Sequence, residues 1–370
     1  MDQPKKIAII GVGLIGGSLS LSFKKRWPEI EIIGYHDDIN RLDQALKLKV
    51  IDEATDNIEH LCKGADFIFI CAQVSKIVPL LEKARPFIDD DTVITDVGST
   101  KSNIVEEADK IFSKGAEFIG GHPLAGSEQK GVLAASATLF KNAVYVLTPT
   151  AKTSPSSYQK LHGLLTQIGA TVIALSPDKH DQVVAVISHL PHLLASSLVN
   201  LAAKSASDPE NILFFAAGGF RDMTRIAAGD PELWLEISLE NKKAILESLN
   251  GYMKVLEKLK VNLEEEDSSS LQDDLLQAKE LRQSLSVSKP TDVTLREIKI
   301  PVTDSPGVIS RITLAFGKHG INIEDIQIVH TGEESGVVKL LVNESGKLDD
   351  ALLEMEREGF NFLKTKEGFG

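Results

Sequence analysis

The sequence has only two cysteines, Cys62 and Cys71, among its 370 residues. Neither lies at a metal-motif spacing from the other or from a histidine, which disfavours both a disulfide scaffold and a zinc knuckle. We therefore expect no bound metal and a reducing compartment.

Basic residues are fewer than acidic residues. The chain has 40 Lys and Arg against 53 Asp and Glu, which gives a formal net charge of -13. A field of that sign repels nucleic-acid phosphates and anionic membranes, so neither is an expected partner. An anionic ligand would need a local cluster of basic residues.

Long apolar runs and an export signal are missing as well. No uninterrupted apolar run approaches the roughly 20 residues of a membrane-spanning helix. Residues Met1 to Lys6 lead directly into the apolar run Ile7 to Ile10, without a secretory hydrophobic region. We expect a cytoplasmic protein. Its 42% hydrophobic and 25% charged content suits a soluble chain with two or three domains.

Short β-branched runs alternate with helical patterns over the first part of the chain. This alternation predicts an α/β domain of the doubly wound Rossmann type at residues 1–175, with a mostly parallel sheet covered by helices on both faces. The predicted strands are Ile7 to Ile10, Ile30 to Tyr35, Phe67 to Cys71, Val93 to Asp96, Glu117 to Ile119 and Ala143 to Leu147.

Residues 176–285 carry helical patterns only and predict an all-helical domain. Two long helices are expected, Asp178 to Lys204 and Glu232 to Leu263, the second opened by an Asp230 cap and by Pro231.

Within the first long helix, Pro191 removes a backbone donor and should bend the chain near His189 and His192. The charged run Glu264 to Ser270 is expected to be either an exposed loop or a helix end.

A linker at 286–294 precedes a third domain at 295–370, whose pattern changes again. Its order, βαββαβ, predicts a small ferredoxin-like sheet with two helices on one face. The predicted strands are Arg296 to Val302, Ile323 to His330, Gly336 to Val342 and Phe360 to Leu363, and the helices are Gly307 to His319 and Lys347 to Glu358.

The glycine motif that follows the first strand predicts a dinucleotide site. Gly11 allows a tight turn, Gly13 lets the backbone approach a pyrophosphate, and Gly16 permits close packing of the helix. The amides at the helix start, Leu14 and Ile15, can donate to the phosphates. The alternative is a glycine-rich turn without a ligand.

Asp37 ends the second strand region, about twenty residues after the last glycine of the motif. A carboxylate there can accept both ribose hydroxyls and repels a 2′-phosphate, so NAD is expected rather than NADP. His36 occupies the place where the acid is first expected, which leaves an offset of one residue open. Gln73, after the Phe67 strand, is expected to pack beside the cofactor.

His122 directly follows the glycine pair Gly120-Gly121, with Gly126 four residues later, and Ser99 follows the preceding predicted strand. Both positions fall on the carboxyl edge of the sheet, where such folds bind ligands. A neutral histidine can accept a proton at physiological pH while hydride leaves for a nicotinamide, and Ser99 could bond the imidazole or the substrate hydroxyl. The alternative is a turn histidine bonded only to backbone.

Five motifs together resemble the prephenate dehydrogenase family, from Lys5 to about Leu263. They are Gly11-Val12-Gly13-Leu14-Ile15-Gly16-Gly17-Ser18, Asp96-Val97-Gly98-Ser99-Thr100-Lys101, Gly120-Gly121-His122-Pro123-Leu124-Ala125-Gly126-Ser127-Glu128, Ser188-His189-Leu190-Pro191-His192 and Phe220-Arg221-Asp222-Met223-Thr224-Arg225-Ile226-Ala227. The resemblance implies NAD-dependent oxidative decarboxylation of prephenate to 4-hydroxyphenylpyruvate by a homodimer.

The resemblance also implies roles for individual residues. His122 would take the proton of the ring hydroxyl, Ser99 would orient that hydroxyl, and Arg225 would clamp a carboxylate with its planar fork. The further residues that would line the substrate cleft are Arg221, Ser127, His180, His192 and Trp234. For the helical members of that set, the alternative is a packed or solvated helix face.

The tail resembles an ACT domain, a module that binds amino acids in regulated enzymes. Its expected effector residues lie at two turns and are Asp304, Pro306, Gly307, Asn322 and Ile323. We expect tyrosine to bind there and lower activity; the alternative is a domain that only dimerises.

Three other functions stay open at this point. Arogenate dehydrogenase uses the same chemistry on a substrate with an amino group in place of the keto group. A β-hydroxyacid dehydrogenase shares the glycine motif, although such enzymes generally use a lysine base. A regulator that binds NAD and an amino acid without turnover is the non-enzyme alternative.

Overall fold

The computed structural model describes residues 3–112, 115–126, 129–204, 216–285, 295–303, 308, 311–312, 315–316, 319, 321, 323–330, 335–343 and 348–362. Contacts within the chain divide it into two units, Met1–Val261 and Asn262–Gly370.

An eight-stranded sheet forms the centre of the first unit, in the order β3-β2-β1-β4-β5-β6-β7-β8. The strands are β1 (Lys6–Ile10), β2 (Glu31–Tyr35), β3 (Glu53–Ala54), β4 (Phe67–Ile70), β5 (Val93–Asp96), β6 (Glu117–Pro123), β7 (Val144–Thr148) and β8 (Thr171–Ala174). All neighbours are parallel except β6 and β7. The predicted Rossmann-type sheet is confirmed, and the two edge strands β3 and β8 are additions.

Helices cover both faces of this sheet. They are α1 (Leu14–Arg26), α2 (Ile39–Lys47), α3 (Ile58–Cys62), α4 (Val74–Ala84), α5 (Ser102–Ile111) and α6 (Pro155–Gln167). Successive strand residues point to opposite faces, so Ile7 and Ile9 enter one core while Ala8 and Ile10 enter the other. The central strands are therefore apolar throughout, as a sheet buried on both faces requires.

Strand β6 is longer than the sequence pattern predicted, and His122 lies within it. Its first part pairs with β5, and its last four residues, Gly120 to Pro123, pair antiparallel with β7. His122 lies opposite Val146 in that ladder. The alternative of a turn histidine is wrong, because β7 supplies strand partners that the local sequence does not reveal.

The helical part of the chain begins with α7 (Pro177–Val184), a π-helical turn (Ala185–His189) and α8 (Leu190–Lys204). Ser176 caps α7 by accepting the amide of Lys179. The bend expected near Pro191 stays a prediction, and the structure has a π turn just before that proline. Such turns appear where the regular hydrogen-bond ladder is interrupted.

The remaining helices are α9 (Gly218–Thr224), a 3₁₀ turn (Arg225–Ala228), α10 (Pro231–Glu240), α11 (Lys242–Glu264) and α12 (Ser268–Leu285). Asp230 caps α10 with Pro231 at its first position, as predicted. The single helix predicted from Glu232 to Leu263 was wrong, because it breaks at Asn241. At this break, the side-chain amide of Asn241 donates to the Asp181 carbonyl at 2.8 Å, a tertiary contact.

In the second unit, an antiparallel sheet has the order β10-β11-β9, from β9 (Leu295–Thr303), β10 (Ile323–His330) and β11 (Ser335–Asn343). Helix α13 (Leu348–Arg357) buries Leu348, Ala351 and Met355 in its core. The expected fourth strand from Phe360 is wrong as far as the structure describes it, because residues 360–362 are not in a strand.

One described helical run, Pro177–Lys204, is long and apolar enough by length and composition to cross a membrane. The helix was predicted, but its overall apolar character was not, because charged residues and histidines interrupt the apolar run. Buried helices of water-soluble proteins meet the same criterion, and His180, His189 and His192 of this run are all buried.

Candidate active site

The loop from β1 to α1 has the shape that a dinucleotide requires. Gly11 has φ +98°, and a Cβ there would lie 2.2 Å from the Cys71 carbonyl oxygen. A Cβ on Gly16 would lie 2.2 Å from the Gly11 oxygen, whereas one on Gly13 would meet nothing within 4 Å. The helix start therefore faces open space, and no side chain caps it. Its free amides suit a pyrophosphate group.

The acidic residues after β2 are used in different ways. Asp38 caps α2 by accepting the Asn40 amide at 2.9 Å, and the His36 ring accepts the Asp38 amide at 2.9 Å. Asp37 instead keeps its carboxylate exposed, 3.7 Å from the Lys76 ammonium. Asp37 is thus the acid whose side chain is available to a ligand, despite the offset of one residue. Gln73 is exposed at the start of α4.

His122 is one end of a chain of hydrogen-bonded side chains. Its Nδ1 lies 2.8 Å from Nε2 of His180, and Nδ1 of His180 lies 2.8 Å from the Asp181 carboxylate. The two imidazole rings are edge to face, with centroids 5.0 Å apart. The sequence analysis expected His180 to line the substrate cleft. That side chain has no exposed surface, because it lies behind His122.

This chain assigns the protons of both rings. An ionised Asp181 can only accept, so Nδ1 of His180 carries the proton and Nε2 of His180 is the acceptor. Nδ1 of His122 must then be the donor, which leaves Nε2 of His122 with a lone pair. His122 is therefore held in the tautomer of a general base.

Asp181 is fixed by its own partners. Its carboxylate accepts the amides of Lys101 and Ser102, each at 2.8 Å, and so caps α5 from the neighbouring helix α7. Burial disfavours its charge, but the bonds from His180, Ser102 and Lys101 outweigh burial and hold the pKa of Asp181 below its usual value. The carboxylate stays ionised at neutral pH.

Electrostatics keep His122 unprotonated. Burial lowers its pKa well below the usual 6.5, and His180, Lys101 and His189 lower it further. Burial also lowers the pKa of His189 to about 4, against the effect of Asp181. Both rings are neutral at physiological pH.

Ser99 lies in the loop between β5 and α5, half-buried. Of the two bonds considered for Ser99, the one to the His122 imidazole is absent among the described residues, and Nδ1 of His122 bonds to His180 instead. Orientation of a substrate hydroxyl is the role of Ser99 that stays a prediction.

A second group of site residues packs around Trp234. Its indole stacks on His192 with ring centroids 3.6 Å apart, and His189 meets it edge to face at 6.2 Å. Nδ1 of His192 is buried and has no partner among the described residues. A Cβ on Gly229 would strike both Trp234 and His192, so the turn after Arg225 packs directly against this stack.

The two arginines are on the exposed side of this region. Arg221 lies in α9, and Arg225 begins the 3₁₀ turn that follows, both with exposed side chains. Ser127 lies outside the described residues, as do Asp304, Pro306, Gly307 and Asn322. Ile323 begins β10, and its side chain is likewise not described. Among the described residues, no group of three or more His, Cys, Asp or Glu could hold a metal ion.

Sequence reasoning missed three charged residues that organise the site: Asp96, Lys101 and Asp181. Asp96 and Lys101 are fully buried, and Asp181 nearly so. A signal was present, since Asp96 ends a strand that begins with Val93 and Ile94, and Asp181 follows His180 directly. Buried charges of this kind are rare unless paired.

Acidification is expected to lower the stability of this region. The unfolded histidines titrate near pH ~6.5, so between pH ~6.5 and ~4 the unfolded state binds more protons than the folded one. The stability contributed by neutral His122 and His189 is present above pH ~6.5 and is lost as pH falls through their folded pKa values. The urea midpoint should therefore be lower at about pH 5 than at about pH 7.5.

The matched variant for this pH effect is His189→Asn, which removes one of the two neutral rings to which the effect is assigned. It should show a smaller difference between the two pH values. An unfolding midpoint that rises on acidification would contradict the assignment of neutral rings.

Family models match three consecutive segments of the chain. "Prephenate dehydrogenase, nucleotide-binding domain" matches residues 19–174, "Prephenate dehydrogenase, dimerization domain" matches 176–277, and "AHAS small subunit-like ACT domain" matches 298–358. The prephenate dehydrogenase of Bacillus subtilis is 38% identical over 344 residues, 92% of this chain and 93% of that protein. The chain belongs to the prephenate dehydrogenase family.

Two solved structures support the same assignment. Prephenate dehydrogenase from Aquifex aeolicus, in complex with hydroxyphenyl propionate and NAD+, has a TM-score of 0.72 and 33% identity over 76% of this chain and 98% of that one. Synechocystis arogenate dehydrogenase has a TM-score of 0.68 and 34% identity over 76% and 99%. This chain is an NAD-dependent oxidoreductase with a Rossmann domain, a helical dimerisation domain and an ACT domain.

Proposed function

We propose that this family member converts prephenate to 4-hydroxyphenylpyruvate and carbon dioxide, with reduction of NAD. The observation that carries this proposal is the chain His122–His180–Asp181, which leaves Nε2 of His122 as a lone-pair acceptor. Family membership supports prephenate as the substrate, and the open space beside Gly13 supports NAD as the cofactor.

In the proposed reaction, Nε2 of His122 accepts the proton of the ring C4 hydroxyl. Ser99 orients that hydroxyl from the adjacent loop. NAD, when bound, supplies the acceptor for the hydride that leaves C4. Loss of the ring carboxylate as carbon dioxide then makes the ring aromatic. General-base assistance of this kind contributes about 10²–10⁴-fold to the rate.

Prephenate has two carboxylates, and the chain as a whole is acidic, so local cations must bind them. We assign the main clamp to Arg225, because its turn packs against the His192–Trp234 stack through Gly229. Arg221, one helical turn earlier, is the secondary cation. The buried, unpartnered Nδ1 of His192 supports a role for His192 in binding. Trp234 and Ser127 complete the proposed cleft, and His180 acts through His122.

The cofactor preference follows from Asp37. Its exposed carboxylate can accept two ribose hydroxyls and would repel a 2′-phosphate. We therefore propose NAD over NADP, with Gly11, Gly13, Gly16, Leu14 and Ile15 at the pyrophosphate and Gln73 beside the cofactor.

Initial rates test the substrate and the cofactor together. With prephenate and arogenate, each combined with NAD and NADP, we expect the highest kcat/KM for prephenate with NAD. A higher kcat/KM for arogenate would favour that alternative, to which the likeness to the Synechocystis enzyme also points. No NADH absorbance with either substrate would favour the regulator without turnover.

The helical domain supports a homodimer. Several of its large apolar side chains are more than a third exposed in one chain, and a second copy would bury them. These residues are Val186, Ile187, Leu201, Leu235, Leu239, Leu246, Met253 and Val255. We retain domain limits of 1–175, 176–285 and 295–370, with a linker at 286–294, and a cytoplasmic location.

Tyrosine is the proposed effector of the ACT domain. A ligand that binds one enzyme state better than the other shifts their populations and so changes the rate. Saturating tyrosine in the prephenate assay should lower the rate, and calorimetry should detect its binding. An unchanged rate without measurable binding would leave dimerisation as the role of this domain.

A further inference from the structure

One carboxylate joins the loop that carries Ser99 to the strand that carries His122. Asp96 is the last residue of β5, and its Oδ2 accepts the Gly98 amide at 2.8 Å while Oδ1 accepts the Gly121 amide at 3.0 Å. Gly98 directly precedes Ser99, and Gly121 directly precedes His122. A single side chain therefore bonds to the residue before each of the two proposed active-site residues, beyond the last paired residues of β5 and β6.

Both amide donors must be glycines for this contact to form. A Cβ on Gly98 would lie 2.8 Å from Oδ2 of Asp96, and one on Gly121 would lie 2.7 Å from the Asp96 carbonyl oxygen. Either methyl group would force the backbone away from the carboxylate. Close approach to Asp96 thus explains why both residues, Gly98 and Gly121, are glycines.

Lys101 completes the arrangement. Its ammonium forms an ion pair with Oδ2 of Asp96, and both side chains have no exposed surface. The Lys101 amide donates to Asp181 at 2.8 Å, so the same residue contacts the carboxylate that orients His180. Burial lowers the pKa of Lys101, and Asp96 opposes that effect.

A buried ion pair of this kind is weak evidence for stability, because desolvation of both charges offsets their attraction. Here the Asp96 carboxylate accepts the amides of Gly98 and Gly121, the residues that precede Ser99 and the proposed base His122. Three buried hydroxyls nearby, of Thr100, Tyr145 and Thr148, have no hydrogen-bond partner among the described residues. The Asp96 carboxylate, in contrast, bonds to Lys101 and to both glycine amides.

We propose that Asp96 and Lys101 form a positioning pair for the dehydrogenase reaction, in which Asp96 holds Ser99 and His122 at their working separation. Neither residue touches the reacting atoms. The inference rests on the proposed function of His122 as the base, and it adds two residues to the machinery of that reaction.

The informative variant is the double substitution Asp96→Asn with Lys101→Met. It removes both charges together, whereas Asp96→Asn alone would leave a buried ammonium without a counter-charge. Asparagine has one acceptor oxygen, so its amide group would face one of the two glycine amides. We expect kcat to fall about 10²-fold, the scale of a small misplacement of reacting groups. The KM values for substrate and NAD should stay nearly unchanged.

Two further variants separate positioning from folding. Thr92→Val, at the other end of the same strand, removes a buried hydroxyl that donates to the Ala65 carbonyl at 2.8 Å and should leave kcat unchanged. Gly98→Ala keeps both charges but displaces the loop, and should reproduce the loss of kcat. It therefore reports on the proposal even where the double variant does not fold.

Several results would overturn the positioning pair. One is a folded, NAD-binding double variant, or a folded Gly98→Ala variant, whose kcat stays within about threefold of the parent, a difference worth only ~0.6 kcal/mol. Others are an equal loss of kcat in Thr92→Val and a rise in KM without loss of kcat.

The rate of the parent enzyme is measured first. If it oxidises neither prephenate nor arogenate, the proposed function fails, and the positioning pair is then tested by NMR of ¹⁵N-histidine-labelled protein. The ring proton shared by His122 and His180 should be observed in the parent and lost in the folded double variant, or in Gly98→Ala. An unchanged resonance would refute the pair independently of activity.

Discussion

Replacement of His122 by asparagine is expected to lower kcat by about 10²–10⁴-fold, the range of general-base assistance. Asparagine is close in size and can still donate to Nε2 of His180, so the site should keep its shape. It cannot accept a proton at the position of Nε2. Steady-state rates with prephenate and NAD measure the loss, and equilibrium binding of both ligands should be nearly that of the parent.

The matched contrast is Arg225→Gln, which removes a charge proposed to bind a substrate carboxylate. This variant should raise the KM for prephenate more than it lowers kcat, because the carboxylate is bound in both the ground state and the transition state. Turnover by His122→Asn at the parent rate would refute the role of the imidazole. Loss of prephenate binding in that variant would show that His122 binds rather than reacts.

Asp181→Asn should have an effect of similar size through the tautomer of His122. The new amide group can donate to Nδ1 of His180, which moves the His180 proton to Nε2. That nitrogen would then donate to Nδ1 of His122, and the His122 proton would move to Nε2, where the base is needed. In serine proteases the equivalent exchange of the triad aspartate costs about 10⁴ in kcat by the same route.

Stability must be measured beside this variant, because Asp181 also accepts the amides that begin α5. The matched control is Asp178→Asn, also in α7, whose exposed carboxylate accepts the hydroxyl of Ser102 at 3.1 Å. That control should keep its kcat. A folded Asp181→Asn enzyme with parental kcat would exclude a role for this carboxylate in orienting the base.

The Rossmann sheet was predictable because its signals are local. Strands buried on both faces are apolar along their length, and the glycine motif lies within one strand-turn-helix unit, where Gly16 packs against the Gly11 carbonyl. The caps Ser176 and Asp230 likewise depend on residues two or three positions away. Patterns of this kind are complete within a short segment of sequence.

The partner of His122 could not be predicted in the same way. Ser99 was a candidate partner because it follows the neighbouring strand, but His180 is 58 residues along the chain from His122 and lies on a helix that follows the last strand of the sheet. The Asn241 side chain, at the helix break, has partners of the same kind, the Asp181 carbonyl and His189. Long-range polar contacts of this kind leave no periodic signal.

The sequence by itself determined the dinucleotide-binding sheet, the family, and the histidine that the reaction requires, because glycine turns and apolar periodicity act over a few residues. Only the tertiary structure decided which nitrogen of that histidine is free and which buried charges hold it. Those properties depend on hydrogen bonds among β5, β6 and α7, and such contacts exist only when distant segments pack together.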